Sequence, residues 1–137
     1  MSIKEVFDGF EPSQYEAEAE QRWGEHDAYM VSKQRTTRYT EADWKRQAAE
    51  QAEVYGDAFR ALHAGKMPDE PEVMDVAERH RLVIDRWFYP CSHAKHAGLS
   101  DMYEQDPRFG ETIDKFGPGL TPFLAAAIRA NARRHGG

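Results

Sequence analysis

The sequence predicts an all-α domain, on three observations. Apolar residues recur every three or four positions over most of the chain, which is the spacing of one helix face. Glycine and proline stand mainly where this spacing breaks, and there they end and begin helices. No stretch shows the two-residue alternation rich in Val, Ile and Thr that is typical of strands. The 137 residues suit one domain.

The N-terminal part of the chain carries the weakest helical signals. A short acidic stretch begins at Pro12 and ends before Gly24, and a second short stretch follows Asp27. Isolated helices under about 12–15 residues are marginal in water, and neither stretch has a full apolar face. We therefore expect residues 1–40 to form a conditionally ordered helical arm and residues 41–137 to form a helical core.

Two long helices are predicted next. The first begins at Thr40, which with Asp43 resembles a capping box, and Gly65 is its natural end. The second follows the turn at residues 66–69 and ends at Pro90, because proline pushes the residue before it out of helical geometry. The expected core positions are Trp44, Ala48, Gln51, Ala52, Tyr55, Phe59 and Leu62 on the first helix, and Val73, Val76, Ala77, His80, Val83, Ile84, Trp87 and Phe88 on the second.

Three shorter helices complete the prediction. Ser92 can cap the first, and Asp106-Pro107 is a strong start for the second. The third follows the corner at residues 117–119 and runs to the terminal glycines. The expected core positions are Leu99, Met102, Tyr103, Phe109, Ile113, Phe116, Leu120, Phe123, Leu124, Ala127, Ile128 and Asn131. The unequal lengths indicate a compact bundle with crossed packing.

Composition narrows the classes of function. The formal charge of −6 argues against nucleic acid as a direct partner of this segment, because phosphate neutralisation needs a basic surface. No apolar run approaches the ~20 residues that cross a bilayer. The N-terminus lacks the basic start and apolar run of a signal peptide. With a single cysteine, these features predict a cytoplasmic location.

The only cysteine, Cys91, follows Pro90 in a run of aromatic residues and histidines. A lone thiol packs, binds metal or reacts. Its place just before a helix N-terminus, with His93 and Lys95 nearby, would lower its pKa and favour reaction. The alternative is a small buried apolar side chain. The residues alone leave both interpretations open.

The same segment contains possible metal ligands and a possible catalytic nucleophile. Cys91, His93 and His96 are possible zinc ligands, with His80 on the preceding helix, but the spacing matches neither a zinc finger nor the two-histidine protease helix. We expect no metal. Neither an orienting residue nor an oxyanion hole accompanies the thiol, and phosphate loops and paired carboxylates are absent from the sequence. The sequence therefore predicts a protein that is not an enzyme and needs no cofactor.

Aromatic residues outside the clear helix faces are candidates for a ligand cleft. They are Trp23, Tyr29, Tyr39 and Tyr89.

The order of several motifs resembles the TipAS family, the antibiotic-recognition domain of TipA-type transcription activators. The likeness covers nearly the whole chain. The motifs are Phe7-Asp8-Gly9-Phe10-Glu11-Pro12, Gln21-Arg22-Trp23-Gly24, Tyr39-Thr40-Glu41-Ala42-Asp43-Trp44, the segment from Tyr89 through Cys91 and His96 to Tyr103, Asp106-Pro107-Arg108-Phe109 and Pro118-Gly119-Leu120 with the helix that follows.

The resemblance implies a globin-like helical domain that binds thiopeptide antibiotics. In the family it follows a MerR-type DNA-binding domain and a coiled-coil dimer linker, or stands alone and sequesters the drug. The N-terminal part becomes ordered when the drug binds. Cys91 matches the cysteine that adds to a dehydroalanine of the drug. With this resemblance, we expect residues 1–40 to act as a lid and residues 41–137 to be the ligand-binding core. We expect the cleft around Cys91 to be lined by Trp87, Tyr89, His93, His96, Met102, Tyr103, Trp23, Tyr29 and Tyr39.

Three alternatives remain beside a thiopeptide-binding module. One is a thiol or metal sensor that uses Cys91, His93 and His96. Another is a structural module of a regulator whose ligand binding is reversible or lost. A hydrolytic enzyme is the most distant.

Overall fold

The computed structural model describes residues 26–136, which form six α-helices and contain no strand. The helices are α1 (His26–Thr37), α2 (Glu41–His63), α3 (Pro71–Trp87), α4 (His93–Gln105), α5 (Pro107–Asp114) and α6 (Leu120–Arg134). The predicted all-α class is confirmed. The predicted acidic stretch at residues 12–23 lies outside the described residues. None of the described helices is long and apolar enough to span a bilayer.

Side-chain caps begin three of these helices where the sequence predicts them. Thr40 Oγ1 accepts the Asp43 N–H at 3.2 Å, and the Asp43 carboxylate accepts the Thr40 N–H at 2.9 Å, so the capping box is formed. Ser92 caps α4 through its hydroxyl. Asp106 caps α5, with Pro107 in the first turn. These caps satisfy backbone donors that a helix N-terminus otherwise leaves without partners.

The last helix, α6, lies at the centre of the fold. It packs mainly against α4 and α3, and also against α2 and α5. Leu120, Leu124 and Ile128 are each no more than 1% exposed. The apolar face predicted for α6 is therefore confirmed, and it supplies the surface on which the other helices cross.

The buried face of α2 differs from the prediction by a small rotation. Ala48 and Ala52 are exposed, whereas Gln47 and Val54 are buried. The Gln47 amide is accommodated in the core because it donates a hydrogen bond to Gln51 Oε1. A buried glutamine with a satisfied amide does not register as a core residue in an apolar periodicity.

Phe116 also differs from the prediction. It follows the end of α5 and is 40% exposed, although its ring centroid lies 4.8 Å from that of Tyr55. The helix ends at Asp114, so the helical spacing that placed Phe116 on the core face no longer applies.

The described end of the predicted arm packs on the core. The Tyr39 hydroxyl donates a hydrogen bond to the Trp87 carbonyl, and its ring meets the ring of Trp87 edge to face at a centroid distance of 5.5 Å. Arg35 Nη1 donates to the Asp85 carbonyl at 2.7 Å. These contacts connect α1 to the C-terminal end of α3. Conditional ordering of residues 1–40 stays a prediction.

Candidate functional site

Cys91 lies in the short connection between α3 and α4, and its main chain is held from both sides by α3. The Cys91 N–H donates to Asp85 Oδ1 at 2.8 Å, and the Cys91 carbonyl accepts from Arg81 Nη1 at 2.6 Å. Pro90 before it prevents α3 from continuing. The residue is 1% exposed, so the thiol is inside the protein.

Burial raises the pKa of the Cys91 thiol to about 12, although the nearby cations Arg81 and Lys95 act in the opposite direction. The expectation of a lowered thiol pKa is therefore wrong for this conformation. Loss of hydration penalises the thiolate more than the helix N-terminus and the cations favour it. The thiol is neutral at pH 7 and packs as an apolar side chain, with Sγ 3.7 Å from the Ser92 carbonyl oxygen.

A carboxylate on α3, Glu78, organises the same corner of the fold. Arg81 pairs with both of its oxygens, His93 Nε2 lies 2.8 Å from Oε1, and Asn131 Nδ2 donates to Oε1 at 2.9 Å. These hydrogen bonds, that from Arg81 first, lower the pKa of Glu78 to about 2. The His135 ring stacks on His93 with centroids 4.1 Å apart. The carboxylate thus joins α3, α4 and α6.

The metal-ligand set considered from the sequence is not assembled. His96 is buried in the core, where its Nε2 lies 2.8 Å from His80 Nδ1, and it is not grouped with Cys91 and His93. In the described part of the chain, Glu78, His93 and His135 bring three possible ligand atoms within 4.8 Å of one another. The carboxylate of that group is already neutralised by an arginine, which competes with a cation. The group is better explained as a hydrogen-bonded ion-pair network than as a metal centre.

An apolar cavity of about 40 Å³ lies between α2, α3, α4 and α5. Its lining comprises Gln51, Val54, His80, Val83, Ile84, Phe88, Tyr89, Leu99, Met102, Tyr103 and Phe109. Of the predicted cleft residues, Tyr89, Met102 and Tyr103 are in this wall, whereas Cys91 is not. The cavity holds a few water molecules at most, since one water needs ~10–15 Å³ on this measure.

A chain of buried polar side chains passes beside the cavity. Gln47 donates to Gln51, and Gln51 Nε2 donates to the Tyr55 hydroxyl at 3.1 Å. That hydroxyl lies 3.3 Å from His80 Nε2, and His80 Nδ1 lies 2.8 Å from His96 Nε2. Burial lowers the pKa of His80 to about 4, and burial together with the neighbouring imidazole lowers that of His96 to about 2. Both imidazoles are neutral at pH 7.

The remaining predicted cleft residues lie elsewhere. Trp87 is in an aromatic cluster with Tyr39 and Trp44 at the end of α3, and Tyr29 is buried on α1. Trp23 lies outside the described residues. The indole N–H of Trp44 is buried and has no hydrogen-bond partner in the described structure. The predicted cleft is thus divided among the cavity, the Cys91 corner and this cluster.

Sequence reasoning missed the polar residues that hold the Cys91 corner. Glu78, Arg81 and Asp85 are spaced by three and four, so they share one face of α3 beside its apolar face. Their spacing is visible in the sequence, but it is also that of an ordinary solvated helix face. Only the tertiary structure distinguishes a loop-holding face from a solvated face, because it shows the α3–α4 loop folded back over these residues.

The described residues form a small all-helical domain with an apolar cavity and one enclosed thiol, features that suit a ligand-binding module. The family model of the TipAS antibiotic-recognition domain matches residues 15–131. The chain belongs to the TipAS family.

Two curated relatives are similar over most of this chain. The HTH-type transcriptional activator TipA of Streptomyces coelicolor is 44% identical over 131 residues, which are 96% of this chain and 52% of that protein. The activator mta of Bacillus subtilis is 31% identical over 114 residues, 83% of this chain and 43% of that protein. The chain spans about half the length of these curated relatives.

Two solved structures share the fold. TipAS of a thiopeptide antibiotic multidrug resistance system from Streptomyces lividans, in complex with nosiheptide, has a TM-score of 0.86 and 43% identity, covering 97% of this chain and 93% of its own. The antibiotic-binding domain of a TipA-class multidrug resistance transcriptional regulator has a TM-score of 0.61 and 39% identity, covering 67% of this chain and 98% of its own.

Proposed function

We propose that this chain is a recognition domain for thiopeptide antibiotics that captures its ligand covalently through Cys91. The observation that carries the proposal is its likeness, over 97% of the chain, to a TipAS domain in complex with nosiheptide. The sequence resemblance around Cys91 supports the covalent step.

The chemistry of capture needs one nucleophile and no turnover. The Cys91 sulfur adds to the methylene carbon of a dehydroalanine in the drug, the electrons of the C=C bond move to the α-carbon, and that carbon takes up the proton which the thiol released. A thioether forms, nothing leaves, and no oxidant is required. A neutral thiol is a poor nucleophile, so the reaction depends on exposing the sulfur and ionising it.

In this proposal, the enclosed thiol described here is the state of Cys91 before capture. A cavity of about 40 Å³ is far below the roughly 300–1,000 Å³ of drug-sized pockets. A thiopeptide would therefore contact the protein largely outside this cavity, and its reaction requires a local opening of the α3–α4 loop that exposes and hydrates the Cys91 thiol. We further propose that residues 1–40 become ordered over the ligand, which would repay part of the cost of opening.

The relatives support a proposal for the protein in which this domain acts. They are HTH-type activators of about twice the length, so we propose that the domain serves a MerR-type DNA-binding domain and coiled-coil dimer in the cytoplasm, or acts alone by sequestering drug. Its own formal charge of −6 is consistent with recognition of the ligand and not of DNA. Ligand binding without turnover is the activity proposed.

Intact-protein mass spectrometry after incubation with thiostrepton tests the proposal. We expect one adduct of the full drug mass on the wild type and none on Cys91→Ser, which should still bind drug reversibly in a calorimetric titration. Reversible binding without any adduct would retain recognition and reject covalent capture. Absence of both would reject the proposal and favour a structural module with an inert thiol.

A further inference from the structure

Both main-chain polar groups of Cys91 are hydrogen-bonded, although the residue lies in a loop. Its N–H and its carbonyl are both bound by side chains of α3, Asp85 at 2.8 Å and Arg81 at 2.6 Å. Arg81 and Asp85 are four residues apart, so they stand one above the other on one helix face. Two charge-assisted hydrogen bonds to the two ends of one residue fix both its position and its orientation.

Arg81 is itself fixed before it reaches the loop. Its guanidinium is paired with Glu78, and the two side chains are only 15% and 23% exposed. Asn131 on α6 and His93 on α4 hydrogen-bond the same carboxylate. The arginine is therefore oriented by three helices, and its bond to the Cys91 carbonyl depends on the tertiary structure and not on the loop alone.

We propose that Arg81 and Asp85 are positioning residues for Cys91: they keep the thiol enclosed in the absence of ligand and set the direction of its sulfur during capture. The second part rests on the proposed function, whereas the first does not. The charged groups around the thiol are Arg81, Asp85 and Glu78 from α3 and Lys95 from α4. Among them Arg81 has the largest effect on the thiol pKa, which it lowers, and this assists ionisation once the loop is hydrated.

The enclosing role is tested with N-ethylmaleimide, whose C=C bond accepts the sulfur as dehydroalanine does. We expect Arg81→Gln and Asp85→Asn to raise the second-order alkylation rate of Cys91 about fivefold or more, because a loop released from α3 opens more often. Arg81→Lys, which can still donate to the Cys91 carbonyl, should restore part of the slow rate.

Matched controls lie on the same helix. Arg79 pairs with Asp57 and Glu72 pairs with Lys66, so the ion pairs described for both join α3 to segments other than the Cys91 loop. Arg79→Gln and Glu72→Gln should therefore leave the alkylation rate unchanged, although each also removes one charge from α3. An unchanged rate in both Arg81→Gln and Asp85→Asn, or an equal increase in the controls, would overturn the enclosing role.

The directing role is tested with thiostrepton at saturating concentration. We expect the first-order rate of adduct formation to fall about tenfold or more in Arg81→Gln, because misplacement by about 1 Å costs up to 10²-fold. The reversible Kd, measured with Cys91→Ser added, should change less than threefold. Equal losses in rate and affinity, or an unchanged rate, would overturn the directing role.

The two proposals fail in different ways. A wild type that forms no drug adduct refutes covalent capture and with it the directing role, while the alkylation rates still decide whether Arg81 and Asp85 enclose the thiol. A variant with faster alkylation and a normal capture rate refutes only the directing role. Thermal unfolding of each variant separates these outcomes from general loss of the fold.

Discussion

His80 and His96 face each other in the core, with His80 Nδ1 2.8 Å from His96 Nε2 and their rings stacked at a centroid distance of 5.1 Å. Tyr55 can donate its hydroxyl proton to the other nitrogen of His80, which leaves the Nδ1–H of His80 to be donated to His96. Two neutral imidazoles thus extend a hydrogen-bonded chain from α2 to α4. Protonation of either would place an unpaired charge in the core.

Acid should destabilise the protein through this pair. The pKa values of His80 and His96 in the folded state, about 4 and about 2, lie below the ordinary value of 6.5, so the unfolded state binds more protons below pH 6.5. The contribution of the two neutral histidines to the free energy of unfolding is fully present above pH 6.5. It is lost as the pH decreases towards 4, by up to about 1.4 kcal/mol per pH unit for each imidazole. Urea unfolding at pH 7, 6 and 5 measures this slope.

Histidine variants identify the source of that slope. His80→Gln, which retains hydrogen-bonding capacity, should reduce the pH dependence by about half. His63→Gln, at an exposed position of α2, is the matched control. A flat profile between pH 7 and 5 would contradict neutral burial. Below about pH 4.5 Glu78 also lowers the stability, because its pKa is lowered to about 2 in the folded state and the unfolded state therefore binds the proton more readily.

Tyr89→Ala should weaken reversible thiopeptide binding more than Trp87→Ala does. Tyr89 borders the cavity, whereas Trp87 packs against Tyr39 on the side of α1. Loss of a buried aromatic contact typically costs more than 1 kcal/mol, so we expect roughly a tenfold higher Kd for Tyr89→Ala. Calorimetry with Cys91→Ser measures it, and Tyr89→Phe is the control. A larger effect of Trp87→Ala would indicate that the ligand binds on the side of α1 and not at the cavity.

Gly56→Ala should stabilise the protein. Gly56 lies inside α2, and a methyl group added there would meet only the end of the flexible Arg60 side chain, at 3.5 Å. Alanine is preferred over glycine in helix interiors by about 0.5–1 kcal/mol. Urea unfolding should show a gain of that size, with Ala52→Gly on the exposed face of the same helix as the matched loss. No gain would mean that Gly56 has a role beyond the helix.

Gly117→Ala should have the opposite effect. The Cβ atom would overlap the ring of Phe59, which packs directly over the glycine. Displacing a partly buried aromatic ring in this way costs about 1–3 kcal/mol. Thermal unfolding should show the loss, and adding Phe59→Leu should recover part of it. If Phe59→Leu recovers no stability, the overlap with the Phe59 ring is not the cause of the loss.

The element pattern could be predicted from the sequence because its signals are local. The capping box at Thr40, the stop at Pro90 and the start at Asp106-Pro107 each act within one helical turn, and each is present in the structure. The buried face of α2 was less predictable. Gln47 is in the core, where its amide donates a hydrogen bond to Gln51, and a polar residue is not counted as a core position in an apolar pattern.

The candidate site could be predicted only in part. His93 and His96 are three residues apart on α4 and would share a face, yet His93 is directed to Glu78 and His96 to His80. The divergence is imposed by α3, whose carboxylate and imidazole lie on different faces. The sequence pattern of α4 alone does not show which groups on α3 its histidines will contact, and those contacts decide where the side chains point.

The sequence by itself determined the approximate limits of the five helices α2 to α6, a single thiol at the corner between two of them, and membership of the family, because these depend on residue type and local spacing. Only the tertiary structure decided that this thiol is enclosed, with its pKa raised to about 12. Burial depends on segments far apart in the chain, and the loss of hydration there outweighs the nearby positive charges.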